Sequence, residues 1–221
     1  MSKLLIKDKE IVIPGEELAE GMDYLPSNGT FRDGNKIISY YLGLVSIYER
    51  FVKVIPLTGR YIPKVNDLVI GKVIDMGFFG WVVDIGCAYN ATLPIREASS
   101  FIDKGDDLTK YYDYGDTIMA KVVKVTKQMA IDVSTRGPGL RKLTGGKIIE
   151  VTPSKIPRMI GKQGSMINMI KEKSNCNIII GQNGRVWVKG DSTDKEILVT
   201  DMIMKIEQES HIDGLTDKIK N

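Results

Sequence analysis

The sequence predicts a multidomain chain that is mainly β, with an α+β part at its C-terminal end. Three observations lead to this prediction. Turn-rich, strand-like runs fill residues 1–62, and five further β-type runs follow in residues 63–140. From residue 147 onward, stretches whose apolar residues recur with the period of a helix alternate with short strands. A chain of 221 residues is long enough for three such domains.

Residues 1–62 predict a small all-β domain. Its β-type runs are 10–13, 36–38, 44–47 and 51–56, and the turn-forming stretches PGEEL, SNGTF and FRDGN lie between them. A domain this short buries little core of its own. We therefore expect it to dock on another surface.

Residues 63–140 predict a five-stranded barrel. Five strands with a longer interruption between the third and the fourth match the strand count of an OB barrel. In such barrels strands two and three, with the adjoining loops, bind single-stranded nucleic acid. The five β-type runs are 67–76, 80–85, 91–95, 116–125 and 130–134.

The second of these runs contains the aromatic stretch FFGWVV. Alternation places Phe79 and Trp81 on one face of the strand and Gly80 and Val82 on the other. Exposed aromatic rings stack on bases, so Phe79 and Trp81 are candidate RNA-binding residues. The alternative places these rings in the barrel interior, and alternation alone predicts that one of Phe78 and Phe79 points inward.

The stretch RGPGLRKLTGG, residues 136–146, predicts a linker because Gly and Pro interrupt regular structure. A βααββα order follows, in which a GxxG loop joins the first two helices, and this is the order of a KH domain, assigned to residues 147–221. Asn183-Gly184, between two β-type runs, is a hairpin signal. The predicted elements are strand 147–151, helix 154–160, helix 165–174, strands 177–180 and 185–189, and helix 193–208.

The loop Gly161-Lys162-Gln163-Gly164 is the clearest candidate site. The absent side chains at Gly161 and Gly164 let the backbone lie against a sugar-phosphate chain, and the next helix begins with free N–H groups and the positive end of its dipole. Lys162 adds a mobile charge, Gln163 adds a neutral hydrogen-bonding group, and Arg158 precedes the loop. The alternative is a structural turn between two helices that binds no ligand.

Positive charge is concentrated in two zones of a chain whose net charge is only +3. Residues 120–142 carry six Lys and Arg against one Asp, and residues 147–190 carry eight against two Glu. This pattern is typical of a protein with a polyanion partner, although solvated lysines also cluster by themselves. Lys124 and Arg136 are therefore candidate RNA-binding residues. The other cations of the first zone that could contact phosphate are Lys121, Lys127, Arg141 and Lys142.

The composition argues against several other classes of protein. No apolar run approaches the roughly 18 residues of a membrane span, and the start MSKLLIKDKE lacks a hydrophobic signal core, so we expect a cytoplasmic protein without a membrane partner. His211, the single His, excludes a His-based triad and a multi-His metal site. Cys87 and Cys176 are expected to be free, buried thiols. We expect no catalytic residues, no metal and no cofactor.

Several stretches together resemble one known family. DLVIGKVIDMGFFGWVVDIGCAYNATLPIREA resembles an RNA-binding barrel of the ribosomal protein S-one type, and residues 147–208 resemble a type I KH domain. GQNGRVW, residues 181–187, is similar to the GxNG signature of the RNA-binding cap subunit of the archaeal exosome, the ribosomal-RNA-processing protein four family. IVIPGEEL and VKVIPLTGRYIPKVNDLVIGKV are similar to the N-terminal domain of that family and its junction to the barrel.

The resemblance implies a non-catalytic subunit of a complex that degrades RNA in the 3′→5′ direction. Three copies would form a cap on a hexameric ring of nuclease-type exosome subunits. Residues 1–62 would dock on the ring, the barrels would line its pore, and the KH domains would recruit single-stranded RNA and feed its 3′ end inward. Gly181, Asn183 and Gly184 of the GxNG turn would be structural, packing the KH domain against the barrel.

Two other functions remain open on the sequence. A barrel followed by a KH unit also occurs in transcription elongation and antitermination factors, although these usually carry two KH units and a different N-terminal domain. An enzyme with its own RNA-binding modules would need a nuclease domain beyond the three predicted here. Co-purification separates the exosome subunit, which would be recovered with nuclease-ring subunits, from the transcription factor, which would be recovered with RNA polymerase. RNA cleavage by the recombinant chain would reveal the enzyme.

Overall fold

The structure, a computed structural model, describes residues 2–103 and 106–208. The chain divides into two compact units, Met1–Gly59 and Arg60–Asn221. His211 and the last residues of the predicted KH domain lie outside the described residues. No helix in the described part is long and apolar enough to cross a membrane.

Two four-stranded sheets build the first unit. Apolar residues at alternating positions pack between them, among them Leu18, Ile37, Val45 and Val52, each fully buried. Each predicted run in this region contains a strand, and four further strands have only two to four residues, too few for alternation to reveal. One sheet has the order β1 (Lys3–Leu4), β3 (Glu17–Glu20), β6 (Lys36–Ser39), β5 (Thr30–Asp33), and the other has β2 (Ile11–Val12), β7 (Gly43–Tyr48), β8 (Phe51–Pro56), β4 (Leu25–Pro26).

A closed five-stranded barrel begins the second unit. β9 pairs antiparallel with β10 and β12, and β10 pairs antiparallel with β11. A parallel pairing of β11 with β13 and an antiparallel pairing of β13 with β12 close the ring. The predicted strand count and the interruption before the fourth strand are confirmed. The strands are β9 (Leu68–Gly77), β10 (Gly80–Asp84), β11 (Ala91–Pro94), β12 (Thr117–Val125) and β13 (Ile131–Ser134).

A sixth strand, β14 (Arg141–Leu143), lies inside the predicted linker and makes that prediction partly wrong. It pairs antiparallel with the first residues of β12, so that Leu143 lies opposite Thr117. Leu143 is buried against Ile70 and Trp187, and this burial stabilises a strand whose other two residues are basic. A three-residue strand with one apolar side chain between Gly-rich stretches leaves no periodic signal in the sequence.

The remaining residues adopt the predicted βααββα order. The sheet has the antiparallel order β15-β17-β16, and the three helices cover one of its faces. Met159, Ile170, Val188 and Ile203 are fully buried between helices and sheet. The elements are β15 (Lys147–Glu150), α1 (Ile156–Ile160), α2 (Ser165–Ser174), β16 (Asn177–Ile180), β17 (Arg185–Lys189) and α3 (Thr193–Gln208).

The buried face of α3 differs from the one that the sequence indicates. Apolar spacing favours a stripe of Ile197, Leu198, Met202 and Ile206, but Ile197 and Leu198 are 48% and 45% exposed. Val199, Ile203 and Ile206 are the buried residues, spaced four and three apart on one side of the helix, so the two stripes share only Ile206. Both stripes satisfy a helical period, so the period alone does not choose between them.

The second face of the KH-type sheet packs on the outside of the barrel. Trp187 of β17 is 4% exposed and lies in a cluster with Ile70, Met119 and Leu143 from the barrel side. Barrel and KH-type fold therefore share an apolar seam and belong to one compact unit.

Candidate nucleic-acid interface

Three of the four residues in the GKQG loop between α1 and α2, all except Lys162, have positive φ. Gly161, with φ 75° and ψ 176°, ends α1, and its N–H donates to the Pro157 carbonyl at 3.0 Å. A Cβ at Gly161 would lie 2.9 Å from both the backbone N and the Cβ of Met166. Gly161 is therefore required for α2 to follow α1 this closely, whatever the loop binds.

Gly164 has a different environment. It is left-handed, with φ 79°, and the nearest heavy atom to an added Cβ would be Asn168 Nδ2 at 3.6 Å. Gly164 is the N-cap of α2 and offers no side chain to the first-turn N–H groups of this ten-residue helix. The Ser165 N–H donates to the Lys162 carbonyl, and the uncapped N–H groups after it lie at the positive end of the helix, where an anion is favoured. Lys162 and Gln163 are exposed beside them, and Arg158 is exposed in the last turn of α1.

Two aromatic rings form the tip of the β9–β10 hairpin. Phe78 and Phe79 are 97% and 85% exposed, and β10 begins only at Gly80. Because both residues belong to the turn, strand alternation does not apply to them, and the prediction that one points inward is wrong. A Cβ at Gly80, whose φ is 142°, would lie 2.0 Å from the Leu93 carbonyl oxygen, so the turn backbone lies directly against β11.

Trp81, a sequence-predicted candidate for base stacking, has no exposed surface on which a base could stack. It is fully buried in the barrel, where its Nε1–H donates to the Tyr112 carbonyl at 2.9 Å. Its ring meets the Tyr112 ring edge-to-face, with centroids 5.1 Å apart. Alternation groups Trp81 with Phe79, but β10 begins at Gly80, so Phe79 belongs to the turn and Trp81 to the strand. Trp81 therefore lies inside the barrel, whereas Phe79 is exposed to solvent.

Two arginines flank the aromatic tip. The Phe79 carbonyl accepts from the Ile95 N–H at 3.0 Å, which places the exposed Arg96 next to the turn. Arg136 Nε donates to the Ala98 carbonyl at 3.0 Å, so its guanidinium lies two residues further along the same segment. Arg136 is a sequence-predicted candidate. Arg96 was missed, and its only sequence signal is a cation directly after the third strand of the barrel.

Lys124 is exposed but lies elsewhere on the barrel. It pairs with Asp132 near the start of β13, whereas Arg136 follows the end of that strand. The structure therefore brings Phe79 and Arg136 to one end of the barrel and leaves Lys124 toward the other end.

The GQNG turn, residues 181–184, is inserted into the barrel wall. Asn183 is 5% exposed, and its Nδ2 donates to the Ile70 and Ile85 carbonyls, each at 2.8 Å. Its Oδ1 accepts from the Ile70 N–H at 3.1 Å. A Cβ at Gly181 would lie 2.3 Å from Asn183 Oδ1, and one at Gly184 would lie 2.3 Å from a backbone oxygen. All three residues are buried, and the Asn183 amide joins the turn to the barrel backbone.

Two further side chains that contact the barrel at the seam were not predicted from the sequence. The Gln182 N–H donates to the Leu68 carbonyl at 2.7 Å, and the side-chain Oε1 of Gln182 accepts from the Leu68 N–H at 2.6 Å. Arg185 donates to the Asp84 carbonyl at 2.8 Å and to the Asp84 carboxylate at 2.6 Å, and its Nε lies 3.4 Å from Glu150. Neither residue type signals such a contact by itself, because the partners are far away in sequence.

The contact with Arg185 also favours the charged form of the Asp84 carboxyl. Burial alone would raise the pKa of Asp84, but the hydrogen bonds from Arg185 and from the Gly86 N–H, with the Arg185 charge, lower it overall. A carboxyl whose pKa is lower in the folded state stabilises that state above its unfolded pKa, near 4, and loses this effect as the pH falls further. The ion pair therefore persists at neutral pH.

The described residues contain no group of three or more His, Cys, Asp or Glu side chains that could hold a metal ion. Cys176 is buried as expected, whereas Cys87 is only half-buried, and both are free. Exposed aromatic rings, exposed cations and an uncapped helix N-terminus are the groups of the second unit that suit a polyanion.

Two family models match parts of the chain. One, for the N-terminal domain of the exosome RNA-binding protein RRP4, matches residues 9–58, and one for the KH domain matches residues 146–194. Curated archaeal relatives, each described as exosome complex component Rrp4, extend the match over nearly the whole chain. The protein of Methanothermus fervidus is 47% identical over 218 residues, which are 98% of this chain and 96% of the relative. The chain belongs to the Rrp4 family of exosome components.

Other Rrp4 relatives and one solved structure agree. The Rrp4 of Pyrococcus abyssi is 46% identical over 226 residues, covering 100% of this chain and 84% of its own, and that of Methanobrevibacter smithii is 46% identical over 99% of this chain and 72% of its own. A crystal structure of a candidate exosome complex RNA-binding protein superposes with a TM-score of 0.66 at 34% identity, covering 73% of this chain and 93% of that one. The family predicted from the sequence is confirmed.

Proposed function

We propose that this chain is a non-catalytic, RNA-binding subunit of the exosome, a complex that degrades RNA in the 3′→5′ direction. The observation that carries the proposal is its relationship over nearly the full chain to curated exosome components. The transcription-factor alternative gains no support from these relatives. A cap of three copies on a hexameric nuclease ring, in the cytoplasm, is the form in which we propose that the chain works.

Two surfaces of the second unit are suited to single-stranded RNA. The barrel tip offers Phe78 and Phe79 for stacking, with Arg96 and Arg136 beside them for phosphate. The KH-type loop offers Gly164, followed by the uncapped N-terminus of α2. We infer that the first surface holds bases and the second holds the backbone. A combination of stacking and phosphate contacts binds RNA without strong sequence preference.

The first unit has a surface suited to docking on the ring. In the sheet β2-β7-β8-β4, alternate residues enter the core, and the opposite face carries two apolar rows. Ile11, Leu44 and Ile55 lie side by side in one row through direct pairing. The second row contains Tyr48, 68% exposed, beside Phe51. An apolar face of this kind typically marks an interface between proteins.

Affinity purification of the native protein tests this function. We expect nuclease-type ring subunits to be recovered with the tagged chain, and an Ile11→Lys, Ile55→Lys variant to lose them while it still binds RNA. Recovery of RNA polymerase in place of a ring would support the antitermination alternative. RNA cleavage by the purified chain alone would contradict a non-catalytic role.

Gly164→Asp is expected to weaken the binding of single-stranded RNA about tenfold relative to Gly164→Asn, because a carboxylate at the α2 N-terminus repels phosphate. Asn and Asp have the same shape and both tolerate left-handed backbone, so strain is matched and only charge differs. Titration of a labelled RNA by fluorescence anisotropy measures the two dissociation constants. Equal constants would exclude the loop as a phosphate site.

A double substitution that adds Gly161→Asp is a weaker test of the same loop. The added Cβ at Gly161 would press on the backbone of Met166, so the start of α2 would be disturbed together with any RNA contact. Gly164 alone separates the two effects.

A further inference from the structure

A basic groove lies on the seam between the barrel and the KH-type sheet, apart from both surfaces described above. It has a volume of about 250 Å³. This is below the range of roughly 300–1,000 Å³ that small-molecule pockets occupy, and it suits one segment of a polymer better than a free cofactor. Its polar and aromatic lining consists of Arg141, Lys142, Thr144, Asn177, Trp187 and Lys189.

Strand geometry directs these side chains into one space. On β14, Arg141 shares a face with Leu143, which is buried against Trp187 at the seam, so Arg141 points toward the KH-type sheet. On that sheet, Trp187 and Lys189 share the face opposite the helices, and Asn177 is paired directly with Lys189. The Arg141 guanidinium therefore lines one side of the groove, and the Asn177 amide and the Lys189 ammonium group line the other.

The groove has an excess of positive charge. Lys142 is paired with Asp116, and Lys189 Nζ donates to the Thr144 carbonyl at 2.9 Å, which uses one of its three hydrogens. The indole N–H of Trp187 is taken by the Gly145 carbonyl at 2.7 Å. The Arg141 backbone pairs with Met119 of β12, but among the described residues no hydrogen bond or ion pair involves its guanidinium. An exposed planar guanidinium without a partner is well suited to the oxygens of a phosphate.

We propose that this groove binds a backbone phosphate of single-stranded RNA, with Arg141 and Lys189 as its cationic ligands and Asn177 as a hydrogen-bond donor. The inference rests on the proposed function. It adds a third contact, at the seam, to the barrel tip and the KH-type loop. RNA bound there crosses from one module to the other along a surface that the GQNG turn holds rigid.

The test compares two charge reversals in the full chain. Arg141→Glu is expected to weaken the binding of single-stranded RNA about tenfold, and to make the slope of log K against log salt shallower by about 0.7, the value for one phosphate of a single strand. Lys205→Glu, on the exposed side of α3 away from the barrel, makes the same change in net charge and should alter neither quantity. If both variants had the same RNA affinity and salt slope while the wild-type chain bound RNA, the groove would not be a phosphate site. The proposed function would still stand.

A second measurement separates RNA from a free anion. The chain contains two Trp residues, so its indole N–H region has two NMR signals, one from Trp187 at the groove and one from Trp81 in the barrel core. We expect single-stranded RNA to shift the Trp187 signal, inorganic phosphate at equal phosphate concentration to leave it in place, and Arg141→Glu to remove the RNA effect. A shift caused by phosphate alone, or a Trp187 signal that RNA does not move, would contradict the proposal.

Discussion

Asn183→Asp is expected to destabilise the second unit by roughly 4–6 kcal/mol. The two N–H donors that now meet the Ile70 and Ile85 carbonyls would be replaced by a carboxylate oxygen facing those same acceptors, in a site that is 5% exposed. The substitution buries a charge without a partner and leaves two carbonyls without donors. Both defects cost free energy in the folded state, and few single changes at the seam would cost more. Asn183→Ala, which removes the bonds but adds no charge, should destabilise by about 3 kcal/mol.

Urea unfolding measures these losses. Both Trp residues lie in the second unit, one in the barrel and one at the seam, so their fluorescence follows that unit alone. Asn168→Asp makes the same chemical change at an exposed position of α2 and should leave the free energy of unfolding almost unchanged. If Asn183→Asp were as stable as Asn168→Asp, the GQNG turn would not be the structural connection that its contacts indicate.

Replacing Phe78 and Phe79 together by Ala is expected to weaken RNA binding by about 2 kcal/mol or more, which is a factor of roughly thirty. Base–aromatic stacking contributes roughly 1–3 kcal/mol per base, and these two rings are 97% and 85% exposed at the barrel tip. Because neither ring is packed in the core, the free energy of unfolding should change little. Titration with a labelled single-stranded RNA gives the affinity, and urea unfolding checks the fold.

Tyr48→Ala is the matched control for the barrel tip. Tyr48 is 68% exposed, and its removal takes an aromatic ring from the first unit, outside the surfaces assigned to RNA. RNA affinity of this variant should equal that of the wild type. If the double Phe78 and Phe79 variant also had wild-type RNA affinity, the barrel tip would not be part of the RNA-binding surface.

The βααββα part of the fold was predictable because its signals are local. GxxG, Asn183-Gly184 and the switch between strand and helix periods all lie within a few residues of the elements that they define. The barrel strands were predictable for the same reason. β14 was not, because its stability comes from packing of Leu143 against Ile70 and Trp187, which are distant in the chain.

The site was less predictable than the fold. The sequence indicates aromatic residues near the second strand, but whether Phe79 or Trp81 faces solvent depends on where the turn ends, and a shift of one residue moves a ring from outside to inside. Asn183 finds its partners 113 and 98 residues away. Arg141 was one of several candidate cations in the sequence, and Arg96 was not among them, because only folding shows which side chains lie beside each of them.

Binding of single-stranded RNA by the purified chain, measured over a series of salt concentrations, tests the proposed function most directly. We expect binding at low salt and a linear fall of log K with log salt, with a slope of about −0.7 for each phosphate contacted. Several contacts at the barrel tip, the KH-type loop and the seam should make that slope steep. Absence of binding at low salt, or an affinity that does not change with salt, would contradict the assignment of this chain as an RNA-binding subunit.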